Sequence, residues 1–382
     1  MENEAGGKNI IIVAGEASGD MHGASLVKEM LKINPALRFY GIGGGKLKEA
    51  GVELIADAAE IAVVGLTEVL SKLVDFLRVI RNLRSKIDQI KPSLVILIDF
   101  PDFNLNIAAR FAKKRKIKVF YYISPQVWAW RQGRINQIKK LVNRMAVVLP
   151  FEVDVYAAKG FMVDYVGHPL LDVVKTRFSA RKEAKKYFGL EEKKTTIGLL
   201  PGSRTAEVKR LLPEMLKAAK MISERIPDAQ YLLPLAGTLA EKQIAQMISG
   251  CGIKVKIVTG ATYDAIACCD LAIVTSGTAT LETGLLGVPM IIVYKVSLFS
   301  ALIGSLVISV KNIGLVNIIA GKTIVPELIQ LEAKGERIAV EALAILQSER
   351  YTKIKNELAE LREKMGSPGA AARAAQIACS MI

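Results

Sequence analysis

Histidine and cysteine are scarce in this chain: among 382 residues there are two of the first, His22 and His168, and four of the second. Zinc and non-haem iron sites draw their ligands chiefly from such residues, so no metal is expected. Cys251, Cys268, Cys269 and Cys379 show no C-x-x-C spacing, and the adjacent pair cannot readily form an unstrained bridge. Reduced thiols are the reading that follows. A membrane-crossing run is also missing. The longest apolar window, Val296 to Val310, stops short of the roughly 18 to 20 residues a span requires. The opening residues, MENEAGGKNI, lack the basic and apolar segments of a secretory signal, which predicts a cytoplasmic location. There is no G-x-x-x-x-G-K-[ST] loop, and GIGGG at Gly41 to Gly45 does not complete G-x-G-x-x-G, so kinase and dehydrogenase readings lose their main support.

Positive charge and apolar residues are plentiful. Lys and Arg number 52 against 37 Asp and Glu, a net charge of +15 that calls for an anionic partner. No nucleic-acid module accompanies the basic runs, leaving a phosphorylated substrate or an acidic lipid surface. With 51% hydrophobic residues the chain is long enough for two domains, each with its own core.

Runs rich in Ile, Val and Leu recur at Asn9 to Gly15, Arg38 to Gly43, Leu94 to Phe100, Val119 to Ser124 and Arg144 to Pro150, with helical patterns between them. Continuous rather than alternating apolar runs suit parallel strands covered on both faces. After a basic stretch from Lys175 to Lys194 the pattern restarts at Thr196 to Pro201, Tyr231 to Leu235, Val255 to Thr259, Leu271 to Thr275 and Pro289 to Tyr294. The fold class is therefore α/β, with two Rossmann-like domains, a hinge near Val166 to Asp172, and a helical tail from Tyr351 broken at Gly366 to Gly369. Boundaries are expected at 1–172, 173–350 and 351–382. Ligands in such sheets bind beyond the carboxyl ends of the strands.

Two loops in the second half fit that position. In LLPGSR, Pro201 and Gly202 turn the chain and free backbone N–H groups, Ser203 adds a hydroxyl, and Arg204 offers a forked cation to a phosphate. An ordinary turn with an exposed arginine is the alternative. In SGTATLE, Ser276, Gly277 and Thr278 open a helix whose N–H groups would face an anion, and Glu282 can accept from ribose hydroxyls. The alternative here is an ordinary capped helix. Together the loops favour a nucleoside diphosphate in the second domain.

In the first half, AGEASGD ends a strand and offers Glu16, Ser18 and Asp20 to sugar hydroxyls. IDFPDFNL places Asp99 at the end of the most apolar strand, where surrounding apolar groups would raise its pKa toward that of a general base. Asp102 suits a helix cap more than catalysis and is kept as a substrate contact. PQVWAW, with Gln126, Trp128 and Trp130 beside Arg131 and Arg134, is either a core corner or a platform for sugar or phosphate. From Leu66 to Ile87 apolar residues recur at helical spacing among five basic ones; burial is the default, and contact with anionic lipid the alternative. The same question attaches to Val296 to Val310.

These motifs, with GHPL at 167 to 170 and VPEL at 325 to 328, follow one another along nearly the whole chain in an order that resembles the lipid-A-disaccharide synthase family. The resemblance implies a GT-B arrangement, an inverting transfer without metal or cofactor, UDP-2,3-diacylglucosamine as donor and 2,3-diacylglucosamine 1-phosphate as acceptor. It assigns Asp99 as base for the acceptor 6-hydroxyl, Arg204 to the pyrophosphate, and Ser276, Thr278, Glu282 and Asn317 to the nucleotide. It also implies peripheral attachment to the inner face of the inner membrane, leaves a homodimer open, and folds the last helices back onto the first domain. The chain departs from the family pattern at Val316, usually proline, and at His22, usually small or apolar. The rival readings are a UDP-sugar epimerase of the same architecture and a non-catalytic carrier of lipid-linked sugar.

Overall fold

Ile10 to Val13 and Leu94 to Ile98 have no measurable solvent exposure, as strands covered on both faces require. They pair in parallel at the centre of the first of two sheets, with Ala14 beside Ile98. A computed structural model describes residues 8–58, 69–128, 133–295 and 312–382. The chain divides into two compact units, one of residues 1–169 with 367–382 and one of residues 170–366.

The first unit runs β1 (Asn9–Ala14), α1 (Ala17–Ile33), β2 (Arg38–Gly43), α2 (Gly45–Glu49), β3 (Glu53–Asp57), α3 (Val69–Ile90), β4 (Leu94–Ile98), α4 (Pro101–Phe103), a π-helical turn (Asn104–Ala108), α5 (Ala109–Lys114), β5 (Lys118–Tyr122), α6 (Arg134–Leu141), β6 (Arg144–Val147), α7 (Glu152–Ala157) and β7 (Asp164–Tyr165). Its parallel sheet has the order β3-β2-β1-β4-β5-β6-β7. The order reverses between β1 and β4, so the loops after those strands, holding Glu16 and Asp99, sit at the topological switch point.

The second unit holds α8 (Leu170–Val173), α9 (Arg181–Tyr187), β8 (Thr196–Leu200), α10 (Thr205–Arg225), β9 (Gln230–Pro234), α11 (Glu241–Ile248), β10 (Val255–Val258), α12 (Thr262–Ala267), β11 (Leu271–Thr275), α13 (Thr278–Leu285), β12 (Met290–Tyr294), α14 (Leu315–Ala320), β13 (Glu327–Ile329), α15 (Gly335–Leu346) and α16 (Arg350–Lys364). Its sheet order, β10-β9-β8-β11-β12-β13, puts the switch between β8 and β11, where PGSR and SGTATLE begin. Strands β3, β7 and β13, which the apolar runs did not reveal, are all sheet edges and are too short or too charged to read as buried runs.

The two C-terminal helices part company, which corrects the expected boundary at 351. Ile354, Leu358 and Leu361 of α16 are buried, and the helix packs on α13, α14 and α15 inside the second unit. Only α17 (Ala370–Ser380) joins the first unit. Ala370, Ala374, Ala375 and Ala378 give it a smooth face against α1, and Arg373 donates to the Val166 carbonyl at 2.8 Å.

In α3 the apolar stripe divides. Val79, Leu83 and Ile87 are buried in the core, whereas Val74 and Leu77 stay 60% and 55% exposed. The windows 66–68 and 296–310 lie outside the described residues. No helix among the described residues is long and apolar enough to cross a membrane.

Candidate functional site

Asp99 follows the last residue of β4 and carries φ +43°; Phe100 follows with φ +46°. Two consecutive side-chain-bearing residues in the left-handed region cost on the order of 1–3 kcal/mol each, and such conformations persist only where surrounding contacts enforce them. Here the contacts are specific. Asn104, fully buried at the start of the π-helical turn, donates from Nδ2 to the Asp99 carbonyl at 2.7 Å and to the Ile98 carbonyl at 3.2 Å. The Tyr121 hydroxyl donates to the same Asp99 carbonyl at 2.5 Å. The Phe100 ring stacks on Phe103 at 5.6 Å and presses against Gly15. Burial and then the nearby Glu16 charge push the Asp99 carboxyl up to about 6, while the Phe100 N–H acts to lower it. Such a group is poised to accept a proton near neutrality.

Around Asp99 the expected contacts divide. Glu16 and Ser18 are exposed at the entrance to α1. Asp20 is turned away: its buried carboxylate accepts from the backbone N–H groups of Gly44 (2.7 Å), Lys46 (2.9 Å) and Leu47 (3.1 Å), fastening the start of α2. The sugar contact read for Asp20 is therefore corrected to a structural tie, since three short donors already take up both oxygens. Asp102, in the first turn of α4, forms an ion pair with Arg134. Gln126 is exposed, whereas Trp128 is buried edge-on against Phe151 at 5.2 Å. That makes Trp128 a core corner, the first of its two readings. Trp130 and Arg131 lie outside the described residues. Beneath Trp128 sits Glu152, unremarked in the sequence and almost wholly buried, accepting from the Leu149 N–H at 3.1 Å. Burial pushes its carboxyl up to about 7 against the lowering effect of backbone and side-chain donors, including Trp128 and Ser124. The Ser124 and Tyr156 hydroxyls complete the cluster at 2.7 Å.

In the second unit the two small-residue loops meet around one pocket of about 340 Å³, lined by Gly202, Ser203, Arg204, Ser276, Gly277, Thr278 and Glu282 among others. Gly202 has φ +108°, and a β-carbon there would come 2.5 Å from Glu207 Oε2, so this turn requires glycine. Thr238 donates to the Ser203 carbonyl at 2.6 Å from the far side. Arg204 is 80% exposed, with only a loose pairing to Glu207 at 3.4 Å, and its guanidinium is available to an anion. The N-termini of α10 and α13 both open at this pocket, adding partial positive charge. Glu282 accepts from the Tyr263 hydroxyl at 3.0 Å, and burial raises its carboxyl above the usual range. Tyr263 gave no signal in the sequence, because its pairing with Glu282 spans 19 positions.

Two nucleotide contacts are revised. The Ser276 hydroxyl donates to the Ile313 carbonyl at 3.2 Å, so its proton is engaged, whereas the Thr278 side chain has no partner among the described residues. Asn317 is absent from the pocket lining. It is fully buried, its Nδ2 donates to Val325 O (2.8 Å) and Glu327 Oε1 (2.7 Å), and its Oδ1 accepts from the Ile324 and Val325 N–H groups. With its donors and acceptors spent on the chain itself, Asn317 is a latch between α14 and β13 and not a nucleotide ligand.

A family model described as "Lipid-A-disaccharide synthetase" matches residues 10–381. A lipid-A-disaccharide synthase of Syntrophus aciditrophicus is 59% identical over 377 residues, covering 98% of each chain. Among solved structures, the glycosyltransferase of kitacinnamycin superposes with TM-score 0.64 at 15% identity, covering 98% of this chain and 99% of that one. A UDP-GlcNAc 2-epimerase from Neisseria meningitidis bound to UDP-GlcNAc gives 0.59 at 12% identity, covering 98% and 99%. The structural likeness shows a GT-B fold that transferases and epimerases share; the family match separates the two classes.

Proposed function

This chain belongs to the lipid-A-disaccharide synthase family of glycosyltransferases, and on that premise we propose that it joins UDP-2,3-diacylglucosamine to 2,3-diacylglucosamine 1-phosphate, releasing UDP and a β-1,6-linked disaccharide. The observation that carries the donor assignment is the meeting of the PGSR and SGTATLE loops around one pocket at the switch point of the second sheet. There the N–H groups opening α10 and α13, with the Arg204 guanidinium, receive the diphosphate, and Glu282 accepts from a ribose hydroxyl. In the first unit, Asp99 takes the proton of the acceptor 6-hydroxyl as that oxygen attacks C1 of the donor sugar. The bond from C1 to the diphosphate oxygen breaks with inversion, and UDP departs with the electron pair, its developing charge offset by Arg204 and the helix N-termini.

Attachment to an anionic lipid surface at the cytoplasmic face of the inner membrane is part of the same reading. It is supported by the exposed Val74 and Leu77 beside the 61%-exposed Arg78, and by the net charge of +15. Sedimentation with anionic against neutral vesicles tests it: equal recovery on both would remove the electrostatic part.

UDP release from the donor, with and without acceptor, tests the reaction itself, using the native chain and Asp99→Asn. Acceptor-dependent release that falls by at least about a hundredfold in the variant supports transferase and base together. Release without acceptor would overturn the transferase reading, and an active variant would overturn the base.

A further inference from the structure

We infer that Asn104 is a positioning residue for the reaction: with the Tyr121 hydroxyl it grips the Asp99 carbonyl and holds Asp99 and Phe100 in the left-handed backbone from which the Asp99 carboxylate is presented. The inference rests on Asp99 as the base and goes beyond it by naming what keeps that base in place.

A strand ending on two left-handed, side-chain-bearing residues would ordinarily relax, because each prefers extended or right-handed backbone. Relaxation would swing the Asp99 carbonyl and carboxylate together, since both hang from the same Cα. Three contacts oppose it. Asn104 Nδ2 bridges the Ile98 and Asp99 carbonyls, fixing the angle between successive peptide planes. Tyr121, fully buried on the neighbouring strand, anchors the same oxygen to the sheet. The Asn104 N–H also donates to the Phe100 carbonyl at 3.0 Å, so the amide grips the turn by backbone and side chain alike. Asn104 opens a π-helical turn, a widening that often marks functional positions. The side-chain amide thus holds the two carbonyls on either side of the Asp99 Cα.

The surroundings of Asp99 give the test its readout. Glu16 faces it from the β1–α1 loop, Tyr121 from β5, and Arg134 of α6 acts on Tyr121. In this setting the carboxyl titrates at about 6. Freed from the clamp it would gain water and move away from Glu16, and its pKa would fall toward the ordinary carboxylate range.

The experiment is steady-state kinetics from pH 4.5 to 8.5 on the full chain with both substrates, for the native protein, Asn104→Ala, Tyr121→Phe and Asp99→Asn. Both clamp variants should lower kcat by on the order of tenfold to a hundredfold, with KM for donor and acceptor nearly unchanged. The acid limb of kcat should also shift to lower pH by about one unit. A folded Asn104→Ala protein with native kcat and an unmoved limb would overturn the inference, as would a fall in kcat that leaves the limb in place. If Asn104→Ala fails to fold, Tyr121→Phe, which removes a single oxygen, carries the test by the same criteria. An active Asp99→Asn would instead remove the base reading itself, an outcome distinct from a silent clamp.

Discussion

The Phe100 ring lies so close over Gly15 that a β-carbon on the glycine would come 2.2 Å from the ring's Cγ. Rotation of Phe100 is opposed, because its ring also stacks on Phe103. Gly15→Ala must therefore displace Phe100 or the β1–α1 loop, and with it the spacing between the Asp99 and Glu16 carboxylates. Overpacking of this kind costs about 1–3 kcal/mol, while a shift of an ångström at the reacting group can cost about a hundredfold in rate. The expected outcome is a folded protein, slightly less stable in chemical denaturation, whose kcat drops far more than its stability does. Native kcat in Gly15→Ala would show that the ring accommodates the methyl group elsewhere.

Asn317 makes the opposite prediction. Its amide satisfies two buried N–H groups, one buried carbonyl and the Glu327 carboxylate, which itself accepts from the Ile313 and Gly314 N–H groups. Asn317→Ala leaves several of these unpaired at about 1–3 kcal/mol for each buried group. A stability loss of about 3–5 kcal/mol is expected in urea unfolding, with UDP affinity close to native in whatever remains folded. Weak UDP binding at native stability would restore Asn317 as a ligand.

These contrasts mark what the sequence could reveal. The two-unit architecture was legible because buried parallel strands need continuous apolar runs, and the central strands of both sheets have them. The switch-point loops were legible because small and polar residues at strand ends are otherwise hard to explain. What stayed hidden was which polar atoms each side chain would spend on its own fold. Asp20 and Asn317 carry the chemistry of ligands, but their partners lie 24 to 27 and 7 to 10 residues away and use them up. In IDFPDFNL the acids carry the visible chemistry, whereas the value of Asn104 depends on a left-handed bend that no local pattern announces.

Arg204 is the sharpest test of the diphosphate seat, because it is so little used by the fold. Its side chain is 80% exposed, and its pairing with Glu207 is long and open to solvent, so Arg204→Ala should leave thermal stability within about 0.5 kcal/mol of native. A charged hydrogen bond to phosphate contributes about 1.5–3 kcal/mol, which corresponds to UDP binding weakened by roughly ten- to a hundredfold in calorimetry. Unchanged affinity would move the diphosphate elsewhere in the pocket.

Glu152 ties stability to pH. Its carboxyl is held at about 7 in the fold against an ordinary value of 4.5, so between those limits the native chain keeps a proton that the unfolded chain has lost. The native state then binds more protons, and the contribution of Glu152 is fully present below about pH 4.5 and lost as pH rises through 7. Half-buried His22 and His168 act in the opposite sense. Desolvation lowers them to about 4 and about 3, so the unfolded chain takes up protons first and stability falls as pH drops below 6.5. Comparing the native chain with Glu152→Gln cancels the histidines, which both proteins share. From pH 5 to pH 8 the native protein should lose up to roughly 3 kcal/mol relative to the variant in denaturant unfolding. Trp128, whose ring neighbours this carboxyl, should report the same event as a fluorescence change with a midpoint near 7 that Glu152→Gln lacks. Parallel stability curves and a flat fluorescence titration would mean that Glu152 is already ionised in the fold at pH 5, and that the donors around it outweigh its burial.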